Sequence, residues 1–234
     1  FDIDAPINED ITVEAKYAAA AYADNNGFIF LDEGHTKLVA CKNADGNITI
    51  PDTTVEIAAR AFAENCFIGK LTIQSGVKVI GENAFANCNG LKTVILPDGL
   101  KEIGENAFLG CNLTSIVIPD SVTALGIGAF YGTSLTYVTI GKGITALPDS
   151  VFRGCSKLET ITIGSNITSI GDLAFYDCEK LKTVVCEAET PPTLGGYILS
   201  GAPDLKIKVP AGAVEAYKAA PIWSTYAPYI MANS

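Results

Sequence analysis

The chain is poor in the residues that most often carry catalysis or bind metals. Its 234 residues include one histidine, one methionine and one tryptophan. His35 falls in an Asp-Glu-Gly-His turn, which is a poor place for a rigid active site, and no C-x₂-C pair is present to hold structural zinc. Carboxylate pairs such as Glu102/Glu105 are expected on solvent-facing turns. We therefore expect that the protein is not an enzyme and has no catalytic residues, metal or cofactor.

Basic residues are also scarce. The chain has 16 Lys and Arg against 26 Asp and Glu, which gives a net charge of −10. Nucleic acids and anionic lipids select for basic contact surfaces, so neither is expected as a partner. No apolar run approaches the roughly 18 residues of a membrane span, so we expect no membrane insertion. The acidic excess is typical of a solubilising surface.

Phenylalanine recurs at an almost constant interval. Six phenylalanines each lie 22 or 23 residues after the one before: Phe62, Phe85, Phe108, Phe130, Phe152 and Phe175. A fixed period in the twenties is typical of a solenoid, in which each turn buries its apolar face against its neighbours. The predicted fold is a strand-dominated α/β repeat solenoid of about six such units, with a parallel sheet on one face and a cap at each end.

One repeat unit shows the role expected of each position. Residues 94–96 (Val-Ile-Leu) form a short apolar run with β-branched residues that favours a strand, and Pro97 ends it because proline has no amide hydrogen. Gly104 is expected at a tight corner, where a side chain would crowd the adjacent turn. Phe108 is expected on one short helical turn that fills the far side of the core.

Four of the seven cysteines follow the repeat. Cys88, Cys111, Cys155 and Cys178 each lie three residues after a repeat Phe, and other units place Asn65 or Thr133 there. This position therefore requires a small side chain rather than a thiolate. Equivalent positions on consecutive turns lie about 4.8 Å apart, whereas a disulfide requires Cβ atoms about 3.8 Å apart. We expect mostly free, buried thiols.

The repeat resembles a known family. Residues 118–122 (Ile-Pro-Asp-Ser-Val), followed by Leu125-Gly126 and Ala129-Phe130, resemble the BspA-type leucine-rich repeat of bacterial surface proteins. The match extends over residues 45–187, and the tail resembles the closing module of such proteins in gut bacteria. The resemblance implies a leucine-rich repeat stack on an extracellular, cell-surface protein. Members of the family are associated with adhesion to host matrix proteins and with bacterial co-aggregation.

Three regions are expected along the chain. Residues 1–44 would form an N-terminal β cap with the remnant of an upstream module, 45–187 the leucine-rich repeats, and 188–234 a C-terminal cap with an eroded repeat and a helix. The alternation over residues 11–17 predicts a strand and resembles the end of a Listeria–Bacteroides repeat. Four consecutive alanines favour the alternative, a helix over residues 14–22. The chain begins at Phe1 without Met, so we expect a fragment of a longer exported protein.

Both caps carry their own patterns. Apolar runs at 28–31 and 38–41 flank a turn and predict a hairpin at the N-terminal end of the stack. Leu205, Ile207 and Val209 alternate as one last strand. Residues 215–223 predict a helix that covers the open end of the stack.

The candidate site is the outer face of the predicted sheet, where residues between the buried ones form two columns. The first column is Lys70, Thr93, Ser115, Tyr137, Thr160 and Thr183, and the second is Thr72, Ile95, Val117, Thr139, Thr162 and Val185. This face is uncharged over most of its length, and solenoids commonly bind partners on such a face. The predicted partner-binding residues are Thr93, Ile95, Ser115, Val117, Tyr137, Thr139, Thr160 and Thr162. Alternatively, Thr and Val are present because they suit an exposed sheet.

The function that we predict is a non-catalytic, monomeric surface recognition module that adheres to a host matrix or bacterial surface protein. A structural spacer or stalk for other surface domains is one alternative. A glycan-binding accessory is the other, with aromatic residues near the caps contributing: Tyr22, Tyr197, Trp223, Tyr226 and Tyr229.

Overall fold

The computed structural model describes residues 22–42, 44–199 and 205–233. The strand expected over residues 11–17, the module remnant and nearly all of the alternative helix lie outside these residues. The described chain winds into a solenoid whose turns have three sides, and each side is held to the next turn by backbone hydrogen bonds.

The long-strand side carries the main parallel ladder. Its strands are β4 (Gly46–Thr49), β6 (Ile68–Thr72), β8 (Thr93–Ile95), β10 (Ser115–Val117), β12 (Tyr137–Thr139), β14 (Thr160–Ile163), β16 (Thr183–Cys186), β18 (Lys206–Val209) and β19 (Ile230–Ala232). They pair in parallel within two sheets, β4-β6-β8 and β10-β12-β14-β16-β18-β19. The predicted strand-dominated solenoid is therefore confirmed.

A second ladder forms the short-strand side, which the sequence did not predict. Its two-residue strands are β5 (Glu56–Ile57), β7 (Val79–Ile80), β9 (Glu102–Ile103), β11 (Ala124–Leu125), β13 (Ala146–Leu147), β15 (Ser169–Ile170) and β17 (Thr193–Leu194). At the N-terminal end this ladder continues into β1 (Tyr22–Ala23), β2 (Phe28–Phe30) and β3 (Lys37–Cys41). Strands β2 and β3 pair antiparallel, as the predicted hairpin requires.

The third side, the phenylalanine side, carries the six repeat Phe rings in one column. Neighbouring rings are nearly parallel, with centroids between 5.1 and 5.8 Å apart. Each ring is buried, and the Phe85 and Phe108 amides donate to the next turn at Ala107 and Ala129 over 2.8 and 2.9 Å. The Phe column thus fills the core along the whole stack.

The expected helical turn around each Phe is wrong. The residues two before and two after each Phe have positive φ, between 51° and 69°, which a right-handed helix excludes: Arg60, Glu64, Asn83, Asn87, Asn106, Gly110, Gly128, Gly132, Ser150, Gly154, Leu173 and Asp177. Eight of these twelve are Asn, Asp or Gly, the residues that tolerate the left-handed region. The left-handed residues turn their amides toward the next coil, as in Asn87 N to Leu109 O at 2.7 Å.

The glycine corners follow the prediction. A Cβ atom built on Gly104 would lie 2.8 Å from the Glu82 backbone nitrogen on the preceding turn. On Gly126 it would overlap the Glu105 backbone nitrogen. Glycine at these corners therefore sets the close spacing of the turns.

The C-terminal cap differs from the prediction in its secondary structure. The expected last strand is present as β18, but the helix α1 (Val214–Ala219) is shorter than the predicted 215–223. It lies between two 3₁₀ helices, Ala211–Ala213 and Trp223–Tyr229, and β19 then adds a further parallel strand beside β18. The added strand covers the β18 edge that the helix was expected to protect.

Two buried aromatic residues fix this cap to the repeats. The Tyr217 hydroxyl donates to the Ala188 carbonyl oxygen over 2.9 Å, and the Trp223 indole donates to the Pro192 carbonyl oxygen over 2.7 Å. The two rings meet edge to face with centroids 4.9 Å apart. Both polar atoms have a hydrogen-bond acceptor, so the cap buries these large rings without leaving a donor unpaired.

The seven cysteines form no disulfide, as predicted, and five of them are buried. The four that follow a repeat Phe donate from Sγ to the carbonyl oxygen of the Phe one turn earlier, over 3.0 to 3.3 Å. Burial raises the pKa of Cys155 to about 11 and that of Cys186 to about 12. These two thiols therefore stay protonated at neutral pH and act as small apolar fillers.

Candidate functional site

The predicted partner-binding residues lie on the outer face of the long-strand side. Ser115 aligns with Tyr137 and Thr160 across β10, β12 and β14, and Val117 aligns with Thr139. The alternation that predicted these columns is confirmed locally, because the middle residue of each strand is buried between two outward ones.

Three apolar side chains stand out on this face. Ile95, Val117 and Tyr137 have 46%, 60% and 52% of their surfaces exposed, and they lie on three successive turns. Thr139, Thr160 and Thr162 are half-buried. We call Ile95, Val117 and Tyr137 the apolar patch. Packing of the core does not explain why these three side chains are exposed.

The ladder is interrupted inside the candidate site. Strands β8 and β10 belong to different sheets, so Thr93 and Ile95 are not paired with Ser115 and Val117. The Asn112 side-chain amide bridges the turns at this point by donating to the Asn89 carbonyl oxygen over 2.6 Å. The stack continues through the break, but the eight predicted residues lie on two sheets rather than one.

A shallow groove of about 270 Å³ begins where β12 and β14 end. Tyr137, Thr139 and Thr162 contribute one wall, and Lys142, Asn166 and Glu187 contribute polar groups. Glycine follows the strand in these two turns, at Gly141 and Gly164, where the two preceding turns have Pro97 and Pro119. A Cβ atom on Gly141 would overlap the Pro119 carbonyl oxygen. A Cβ atom on Gly164 would meet nothing within 4 Å.

Sequence reasoning missed the three polar residues of this groove. The signal was the change from Pro97 and Pro119 to Gly141 and Gly164 at equivalent positions. At Gly164 that change leaves the corner without a side chain and with open space in its place.

The outer face becomes basic toward the C-terminal end. Lys206 aligns with Thr183, and Lys208 aligns with Val185, so two lysines extend the predicted columns onto β18. The face therefore runs from an apolar middle to a positively charged end, although the whole chain is acidic.

The cap aromatics do not form one surface in the way the glycan alternative requires. Trp223 is only 2% exposed, and its indole N–H is engaged with Pro192, so its predicted contribution to a glycan site is wrong. Tyr197 is 80% exposed, and Tyr22 and Tyr229 are 42% exposed, but Tyr22 lies in the N-terminal hairpin sheet and the other two lie near the C-terminal end.

The arrangement of titratable groups gives no indication of catalysis. His35 stacks on the Phe30 ring with centroids 4.7 Å apart, which is a packing role. Within residues 22–42, 44–199 and 205–233, no group of three or more His, Cys, Asp or Glu side chains is placed to bind a metal ion. The described helices are all too short or too polar to cross a bilayer.

Stacked parallel turns with a regular apolar repeat define a leucine-rich repeat solenoid. The model of the BspA type leucine-rich repeat region matches residues 39–127 and 80–206, with six copies. The chain therefore belongs to the BspA-type leucine-rich repeat family. No curated protein matches the sequence.

Solved structures are similar to this chain at low sequence identity, and the first of them shares its fold. The pneumococcal vaccine antigen PcpA is 21% identical with a TM-score of 0.57, over 92% of this chain and 48% of that one. A leucine-rich repeat protein from Bacteroides ovatus is 21% identical with a TM-score of 0.48, over 86% of this chain and 71% of that one. A T. pallidum leucine-rich repeat protein is 23% identical with a TM-score of 0.49, over 79% of this chain and 86% of that one. The chain spans about half the length of the pneumococcal antigen.

Proposed function

We propose that this protein is a non-catalytic recognition module of a bacterial cell surface that binds a protein partner through the outer face of its long-strand side. The observation that carries the proposal is the apolar patch of Ile95, Val117 and Tyr137 on three consecutive turns. Exposed apolar groups on a rigid sheet bury surface on contact without a large ordering cost. The family membership and the fold shared with a pneumococcal vaccine antigen support an extracellular location.

The surroundings of the patch supply polar contacts for orientation. Lys142, Asn166 and Glu187 border the groove next to Tyr137, and Lys206 and Lys208 lie farther along the same columns. An apolar centre with a polar rim is the usual composition of a protein interface. The patch spans three turns, or about 10 Å of stack from the first turn to the last, so further contacts are needed for a stable complex.

The experiment is binding of the purified, monomeric chain to an immobilised panel of host matrix proteins, bacterial surface proteins, mucins and glycans. Tyr137→Ala is compared with Tyr22→Ala, which removes a tyrosine that is 42% exposed in the N-terminal hairpin, away from the long-strand side. We expect Tyr137→Ala alone to weaken binding by at least about tenfold, as loss of a central aromatic contact does. Equal binding by both variants would place recognition elsewhere.

A structural spacer is the second candidate, because a continuous stack with a buried Phe column is rigid along its axis. A spacer tolerates any surface change that preserves the stack, whereas an adhesin has one contiguous patch that does not. No binding across the panel, with both variants folded by circular dichroism, would favour the spacer.

A further inference from the structure

Three successive turns on the phenylalanine side differ from the earlier ones in the residue that follows the repeat Phe. The residue after each repeat Phe is small or aliphatic in the first three units, namely Ala63, Ala86 and Leu109. In the next three units it is Tyr131, Arg153 and Tyr176. These last three side chains are stacked along the solenoid, with the Arg153 guanidinium carbon 5.5 Å from the Tyr131 ring centroid and 5.3 Å from that of Tyr176.

The charge of Arg153 has no anionic partner within the described residues. Its Nε is buried without a hydrogen-bond acceptor, and the structure gives the side chain no ion pair among those residues. Stacking on two aromatic faces holds the cation but does not supply an acceptor for its Nε–H. A half-buried guanidinium without an acceptor is unusual, because arginine donors in proteins normally meet carboxylate, phosphate or carbonyl oxygens.

The residues that follow the three stacked side chains are Gly132, Gly154 and the exposed Asp177. Gly132 and Gly154 follow Tyr131 and Arg153 in the left-handed conformation, so no side chain covers the stack from these positions. Tyr131 is 37% exposed.

We propose that the Tyr131–Arg153–Tyr176 stack is a binding site for a carboxylate carried by an acidic sugar, such as a sialic or uronic acid. The two rings fix the guanidinium plane, so its terminal N–H groups can donate to both oxygens of one carboxylate with little further loss of side-chain freedom. The phenol hydroxyls both donate and accept, which suits the hydroxyl groups of a sugar ring next to its carboxylate. This site lies on the phenylalanine side and does not depend on the function proposed for the long-strand face.

The net charge limits the ligand to one with few negative groups. The chain carries −10 overall, so a polyanion would be repelled by the surrounding surface, whereas one carboxylate can be held by one arginine. A single sugar acid at the end of a neutral glycan fits this condition.

The test is ligand-detected saturation-transfer NMR with the intact chain and the methyl glycosides of N-acetylneuraminic acid and glucuronic acid, at about 10 mM, where millimolar affinities are measurable. The methyl esters of the same sugars remove the charge and require no variant. We expect the esters to bind at least about tenfold more weakly than the acids, because a charge-assisted pair is lost. No binding of either acid, or equal binding of acid and ester, would overturn the proposal.

Variants then assign the site. Arg153→Gln is expected to weaken binding at least about tenfold, and Arg153→Lys to restore only part of it because the planar fork is absent. Lys157→Gln, which removes an exposed cation four residues along the same turn, is expected to leave binding unchanged. Equal effects of Arg153→Gln and Lys157→Gln would refute a specific site. Tighter binding of N-acetylaspartate amide than of either sugar would refute the sugar.

Discussion

Phe108→Ala tests the packing on which the whole solenoid depends. The Phe108 ring is fully buried between the rings of Phe85 and Phe130, at centroid distances of 5.3 and 5.5 Å. Alanine would leave a cavity in a column where the turns above and below cannot close in, because the glycine corners already set their spacing. We expect a loss of about 3–5 kcal/mol in the free energy of unfolding.

Two matched variants calibrate this value. Phe62 stacks on Phe85 but on no second ring among the described residues, so Phe62→Ala is expected to cost less than Phe108→Ala. Phe67 is 73% exposed, and Phe67→Ala is expected to change the stability by less than about 0.5 kcal/mol. The order Phe108, Phe62, Phe67 is the expected ranking of the three losses.

The assay is urea unfolding followed by two probes. Far-ultraviolet circular dichroism reports on all the strands, whereas the single tryptophan, Trp223, reports on the C-terminal cap. In a quasi-linear stack, weakening a central turn should separate the two transitions, because neighbouring repeats are coupled only through their interfaces. A loss below about 1 kcal/mol for Phe108→Ala would show that the Phe column is not the core and would refute this reasoning.

Three further predictions concern the backbone and the thiols. Gly132→Ala should lower the free energy of unfolding by about 1 kcal/mol because of its positive φ alone, since a Cβ atom there meets nothing closer than 4.0 Å. Gly126→Ala should lower it several times more, because the Cβ atom would overlap the Glu105 backbone. Thermal unfolding of both variants checks the ratio. Glu64→Asn, at an exposed left-handed position, should raise the stability by about 0.5–1 kcal/mol in urea unfolding, and an unchanged or lower midpoint would contradict it. Two buried thiols have pKa values raised above that of an unfolded cysteine, to about 11 for Cys155 and about 12 for Cys186. Their contribution to the free energy of unfolding is therefore complete below about pH 8.5 and is lost as the pH rises toward 11–12. Stability should therefore fall above pH 8.5 by on the order of 1 kcal/mol per pH unit for each such thiol, and Cys155→Ala should show a shallower fall.

The sequence was sufficient for the periodic part of the fold. The Phe interval and the apolar places of each unit predicted the stack, its strands and the outward columns, because each turn repeats one pattern of burial. The cysteines were also predictable, since Asn65 and Thr133 occupy the same position and exclude a requirement for sulfur.

Features that depend on very short segments were missed. Two residues such as Val79–Ile80 are too few to show an alternation, so the short-strand side gave no signal. The left-handed residues around each Phe did give a signal in the sequence, because eight of the twelve positions are Asn, Asp or Gly. That signal was overlooked because Arg60, Glu64, Ser150 and Leu173 interrupt it.

Contacts between distant parts of the chain were the hardest to predict. β19 pairs with β18 from beyond a helix, and no pattern in Ile230–Ala232 indicates its partner. Trp223 was expected at a glycan surface, but a carbonyl oxygen 31 residues earlier fixes it inside the cap. The Tyr131–Arg153–Tyr176 stack has the period of the repeat, because each of its residues directly follows a repeat Phe. Aligning that position across the units, as was done for the two sheet columns, would have predicted the stack.

The central claim is that the long-strand face binds a partner, and one pair of charge insertions tests it most directly. Val117→Lys places an ammonium group on the apolar patch, and Ala124→Lys places the same group on the exposed short-strand side of the same turn. Binding of each variant to the partner identified on the panel is measured by surface plasmon resonance. The account predicts that Val117→Lys lowers the affinity at least about tenfold while Ala124→Lys leaves it unchanged. Equal affinities for the two variants would contradict recognition by this face.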